Sequence, residues 1–215
     1  MQRRLPLFFL LSSLSFGFRT DCHRKPFRVT YPNNLLIKGI SDAGNDCLPE
    51  YISSLICSVQ GKVVFRPDSL QEFEFGKRPW PRIVRLNPRR YQFLLEQNNR
   101  PNKNNLLLLT IDGSRLMRQQ VLPTFDSPPS NVDADKALEY AGILNYSEGL
   151  SNPAKSNCNP ILFYEVRSSG WVLDSAATIQ VNRKLWGGFY GFHAKPNVIL
   201  KTPKSFNTYL PAIPK

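Results

Sequence analysis

Between Lys77 and Arg90 the chain reads KRPWPRIVRLNPRR, with six cations (Lys77, Arg78, Arg82, Arg85, Arg89 and Arg90) and no acid. Arginine predominates. Its planar guanidinium grips a phosphate through two hydrogen bonds and stacks on rings, and Trp80 and Tyr91 lie close by in sequence. That combination suits contact with an RNA or DNA backbone, alone or in a ribonucleoprotein. A second basic block, Arg183, Lys184, Lys195, Lys201, Lys204 and Lys215, follows Asp174 with no further acid. The formal net charge of +12 favours anionic macromolecules or an acidic protein partner. The same cations would also serve as a solvated basic face, or pair with Asp126, Asp133, Asp135 and Glu139.

The other stretch with chemical potential is Leu185 to Ala194, LWGGFYGFHA, where aromatic residues alternate with Gly187, Gly188 and Gly191. Glycine inside a strand marks a bulge, a bend or a close approach. Trp171, Trp186, Tyr190, Phe192 and His193 are the candidates to line a ligand-binding or partner-docking surface there. A curved core strand would use the same residues for packing. Because Arg183, Lys184 and Lys195 flank the stretch, its ligand is expected to be anionic or amphipathic.

Catalysis has little support. The sequence holds two histidines, His23 and His193, and no G-x-S-x-G, phosphate-binding glycine loop or carboxylate pair at a telling spacing. An enzyme would need a site assembled from scattered residues including His193. No catalytic residue and no cofactor is assigned. Cys22, Cys47, Cys57 and Cys158 lack C-x-x-C spacing, so no structural metal is expected. If 47–58 is helical, Cys47 and Cys57 are about 15 Å apart along its axis, too far for a disulfide. Each would then pair with Cys22 or Cys158 or stay reduced.

Residues 1–17 resemble a secretory signal peptide: Arg3 and Arg4, then an apolar run from Leu5 to Leu14, then small residues before a cut after Gly17. The run is short for a membrane span of roughly 20 residues. Phe18 to Lys38 is basic and acid-poor. A basic stretch directly behind a signal peptide resembles the two-part leaders of proteins sent to complex plastids. It equally fits the basic N-terminus of a secreted domain. Asn145-Tyr146-Ser147 is a glycosylation sequon, meaningful in a eukaryotic secretory host.

These residues need elements to position them. At 215 residues one sizeable core suffices, and a single α+β domain is expected over 27–203, with a tail over 204–215. Phe27–Tyr31, Leu35–Ile40 and Lys62–Arg66 read as strands. Leu48, Tyr51, Ile52, Leu55 and Ile56 fall at i, i+3, i+4, i+7 and i+8, which predicts a helix over about 47–58. Asn87-Pro88 reads as an N-cap and first turn of a second helix reaching about Gln97. Leu106–Ile111 reads as a central strand, with Asp112-Gly113 turning into a returning strand over 114–122. Asn131 or Asp133 starts a third helix carrying Ala134, Ala137, Leu138, Ala141 and Ile143.

From 160 to 203, four apolar runs separated by turn residues predict a four-strand meander. Within it, Ala177, Ile179 and Val181 alternate with Thr178, Gln180 and Asn182. The expected fold class is α+β, a mainly antiparallel sheet with this C-terminal meander and about three helices. The expected function is that of a non-catalytic binding or assembly protein of the secretory or plastid route. Its surface is either the aromatic stretch or, as an RNA-associated alternative, the basic segment 77–90.

Overall fold

The structure, a computed structural model of the chain, describes residues 23–43, 51–67, 71–75, 81–99, 103–125, 128–145, 152 and 154–204. The leader expected over 1–17, Cys22, Cys47, Lys77, Arg78, Trp80, Tyr146 and Ser147 of the sequon, and the tail beyond Lys204 lie outside the described residues.

The first half builds one large antiparallel sheet. Strands β1 (His23–Tyr31), β2 (Leu35–Ala43) and β3 (Tyr51–Val59) pair in succession, and β4 (Lys62–Phe65) returns along β3. Gln60 and Gly61 close that return with positive φ (50° and 80°), the backbone of a two-residue hairpin. Then come β5 (Phe73–Glu74), β6 (Arg82–Arg85), β7 (Arg90–Gln97), β8 (Asn105–Asp112) and β9 (Arg115–Pro123). β5 joins β3 to β7, β6 lies along β7, and β8 and β9 complete a nine-stranded sheet. β4 approaches β9 without pairing with it, and the sheet curls around one apolar interior.

The rest of the chain gives β10 (Tyr140–Gly142), β11 (Lys155–Cys158), β12 (Leu162–Arg167), β13 (Gly170–Leu173), helix α1 (Ser175–Trp186) and β14 (Lys195–Lys201). β10, β12 and β13 form a small sheet, and β11 pairs with β14. Three layers result. Leu94, Leu106, Leu108 and Leu122 on the outer face of the large sheet meet Leu162, Tyr164 and Trp171 of the small one. Phe163, on the opposite face of β12, meets Ala177, Val181, Leu185 and Trp186 of α1. β7 and β8 are thus covered on both faces, which is why Leu106–Ile111 shows no alternation.

A buried polar link ties the sheets. The Gln92 carboxamide accepts from Trp171 N (2.9 Å) and donates to Thr110 Oγ1 (3.2 Å). Gly170 (φ 106°) permits this approach, since a Cβ there would meet the Gln92 carboxamide.

The expected α+β class is corrected: 55% of the described residues are strand and 10% helical, with one α-helix. Each of the three expected helices fails for a local reason. The described part of 47–58 belongs to β3. There Ser54 takes φ 50° and the pairing with β2 shifts between Lys38 and Ile40, a bulge that puts Ile52 and Leu55 on one face three residues apart. The extra residue imitates a helical spacing. Asn87 does cap, but only one turn: its Oδ1 accepts from Arg89 N (2.9 Å) and Arg90 N (2.7 Å), and β7 begins. From Asn131 onward, bends precede β10, with Asp133 and Asp135 accepting from backbone amides two residues on.

The C-terminal meander is corrected as well. Only β12 and β13 form its expected hairpin; the run over 177–182 is helical. The Asp174 side chain accepts from Ala177 N, and Gly187 ends α1 in the left-handed region (φ 72°). Burial at Ala177, Thr178, Val181, Asn182, Leu185 and Trp186 follows the helical period. Six residues fit either period; ten decide for the helix.

Candidate functional site

The antiparallel pairing of β7 with β8 brings two turns to one end of the large sheet. Arg90 lies opposite Asp112, and Gly113 N donates to Arg89 O (2.9 Å), stitching the 86–89 turn to the Gly113-Ser114 turn. Arg89 and Arg90 are thereby brought beside Arg115, which the β8–β9 register places opposite Asp112, while Arg85 lies opposite Tyr91 on the other face of the sheet. Asp112 is the carboxylate at their centre, 3.6 Å from Arg89 Nε and 3.1 Å from Arg90 Nη2. Arg85 Nε donates to Asn87 O (3.4 Å), holding the turn. An open depression of about 510 Å³ is lined by Asn87, Arg89, Asp112, Ser114, Arg115 and Met117.

Arg89, Arg90 and Arg115 around one carboxylate leave a positive excess on these two turns, with Arg85 close by in the chain. Arg89 is 82% exposed, so its charge faces water. The chemistry offered is anion binding: forked N–H donors, the Ser114 hydroxyl and the Asn87 amide.

The sequence candidates divide. Arg89 and Arg90 sit at this rim, with Arg85 just before it in the chain. Arg82 does not join them through its contacts: its Nη1 donates to Tyr140 Oη (3.1 Å) and its guanidinium lies 5.9 Å from that ring's centre, a cation–π contact with the smaller unit. Arg115, Ser114 and Met117 were not singled out by the sequence. The signal for them was the Asp112-Gly113 turn, which delivers Arg115 to whatever pairs with β8.

The aromatic candidates are not brought to one surface. Trp171 is 5% exposed, stacked on Phe125 (5.0 Å) and edge-on to Tyr140 (4.8 Å) between the two sheets. Trp186 is buried on the far side of the small sheet. Phe192 packs partly on the Trp171 cluster and contacts Phe189 edge-on, while Tyr190 and His193 are exposed in the loop after α1. Gly187 caps a helix there instead of bending a strand.

Cys57 and Cys158 are free thiols buried in separate cores. Burial pushes Cys57 up to about 12 and Cys158 above its usual range, so neither favours the reactive thiolate. Among the described residues no helix is long and apolar enough to cross a membrane.

A second constellation, unnoticed in the sequence, lies at the start of α1. Carboxylate oxygens of Asp133, Glu139 and Asp174 come within 4.8 Å of one another. Neither a family model, nor a curated protein, nor a solved structure matches the chain.

Proposed function

We propose that the protein is a non-catalytic binding protein whose arginine rim docks a nucleic-acid backbone. The observation that carries this reading is the convergence of Arg89, Arg90 and Arg115 on two stitched turns around Asp112, with Arg85 exposed at the end of β6 just before the first turn. An open depression fits an extended anionic chain passing over it better than an enclosed small molecule. The net charge of +12 would speed encounter with such a partner. The rim contains no histidine or thiol, and its one carboxylate is occupied by arginines, so the reading is binding without chemistry. A leader over 1–17 would deliver this rim to the secretory or plastid route, and sequencing the mature N-terminus checks that part.

The test is fluorescence anisotropy with RNA and DNA oligonucleotides over a series of salt concentrations. Log affinity should fall linearly with log salt, by about 0.7 per neutralised phosphate on a single strand. The R85A/R89A/R90A/R115A variant should lose most of the affinity and of the slope while keeping its unfolding transition. Salt-insensitive binding, or a folded variant that binds as the parent does, overturns the proposal.

A further inference from the structure

We propose that Asp133, Glu139 and Asp174 form a divalent-cation site, with Ca²⁺ the ion that fits. Two ligand atoms at about 2.4 Å from one Ca²⁺ can be at most about 4.8 Å apart. The three carboxylates satisfy that limit pairwise. They come from different parts of the chain, the loop before β10 and the N-cap of α1, and the fold brings them together.

The hydrogen bonds of the cluster engage one oxygen of each carboxylate. Asp133 Oδ1 accepts from Asp135 N (3.2 Å), Glu139 Oε2 from Val132 N (2.7 Å) and Asp174 Oδ1 from Ala177 N (2.9 Å). Each carboxylate thus uses an oxygen on a backbone amide. The other oxygen of Glu139 is buried and has no donor. Glu139 is 1% exposed and Asp174 7%. A buried carboxylate oxygen without a protein donor, on a residue clustered with two more carboxylates, is stabilised by a cation, a proton or an ordered water.

Among the described residues no cation is paired with these carboxylates. Arg167 lies near enough to feel Asp174 and Asp135, but its ion pair is with buried Glu165. The N-terminal end of α1 contributes roughly half a positive charge, against three carboxylates.

The donor set selects the ion. All three ligands are hard carboxylate oxygens, with no thiol or imidazole in the cluster. The loop from Asn131 to Leu138 has no regular secondary structure and carries Ala134 at φ 64°. Irregular, carboxylate-rich loops suit the adaptable coordination of Ca²⁺ better than the strict octahedron of Mg²⁺. The loop opens Asn131-x-Asp133-x-Asp135, but Lys136 stands where an EF-hand turn needs glycine, and Gly142 where it needs its last glutamate. The site is therefore not an EF-hand; it borrows its third carboxylate from the helix cap.

The experiment uses the whole chain, stripped with EDTA, titrated with CaCl₂ and MgCl₂ by calorimetry and followed by thermal unfolding. Ca²⁺ should bind with measurable heat and raise Tm progressively with concentration. Glu139→Gln should abolish both responses. Asp133→Asn, at the half-exposed ligand, should weaken Ca²⁺ at least tenfold while leaving the Tm in EDTA unchanged, so loss of folding cannot mimic loss of the site. No heat and no shift at about 10 mM Ca²⁺, above the weakest common sites, overturns the proposal. So does a Ca²⁺ response that survives in both variants. A Glu139→Gln protein more stable than the parent, with neither responding to Ca²⁺, would mean that a proton holds the cluster, and it also overturns the proposal.

Discussion

On the large sheet, Arg89, Arg90 and Arg115 crowd onto two turns in water, with Arg85 just before the first. On the smaller unit, Glu139 and Asp174 crowd at the start of α1 at 1% and 7% exposure. Both groups gather like charges, but the surroundings differ. Water and salt screen the arginines, so their repulsion costs little and their field remains available to a partner. The carboxylates lack that screening, so they must be compensated locally by amides, by the helix end and by a bound charge. Like-charge clusters on the two regions therefore predict different things: recognition at the rim, and a ligand-dependent fold at the helix.

The two units share one apolar seam, and a mutation there should disturb both most strongly. Trp171 sits in that seam, 5% exposed, against Phe125 and Tyr140. Trp171→Ala should lower unfolding free energy by about 3–5 kcal/mol, measured by denaturant titration. A single transition moving as a whole means the units unfold together. A split transition, with the large sheet unaffected, would make them independent domains.

Legibility also differs between the two units. Most strands of the large sheet could be read, because turn chemistry at Asn33-Asn34, Gln60-Gly61 and Asp112-Gly113 marks their ends. β3 and β7 read as helices instead, and the two residues of β5 carry too little pattern to read as a strand. The Ser54 bulge gave β3 a helical spacing, and burial on both faces left β7 with no period at all. The arginines of the 77–90 segment were visible as charge, but Arg115 was not, since strand pairing and not sequence proximity brings it to the rim. In the smaller unit, α1 was read as a strand because six alternating residues satisfy period two. That error hid Asp174's role as a cap. Reading Asn131 to Glu139 as a helix likewise hid the loop that aims Asp133 and Glu139 at the same point. The carboxylate site needed two local structures to be right at once, and both were wrong.

The two buried thiols sharpen the contrast between the units through pH. Burial holds Cys57 up to about 12, from an ordinary value of 9.0. Between those values the unfolded chain sheds the thiol proton and the native chain keeps it. Unfolding free energy should therefore be flat below pH 9 and fall above it, by about 1.4 kcal/mol per pH unit for this group. Cys158 is also raised by burial, but Lys195 opposes the shift. Alkaline unfolding compared between parent, Cys57→Ala and Cys158→Ala should show the slope flattened mainly by the first. Equal flattening would mean that the smaller core excludes water as fully as the large one.

The smallest expected effects on stability belong to the rim. Arg89→Ala removes a largely exposed side chain whose partner Asp112 keeps Arg90, so stability should change by no more than about 0.5 kcal/mol. Its salt slope for an oligonucleotide should still fall by about 0.7, one phosphate contact. Arg82→Ala is the control from the same basic segment. It loses the hydrogen bond and the cation–π contact to Tyr140, so it should cost stability, about 1 kcal/mol, and leave the salt slope alone. Thermal unfolding and anisotropy on the same two proteins separate the roles. If both arginines changed the slope equally and neither changed stability, residues 82–90 would act as one undifferentiated basic face, and pairing with β8 would have no part in recognition. If only Arg89 moves the slope, the stitched turns select which arginines of the segment meet the partner.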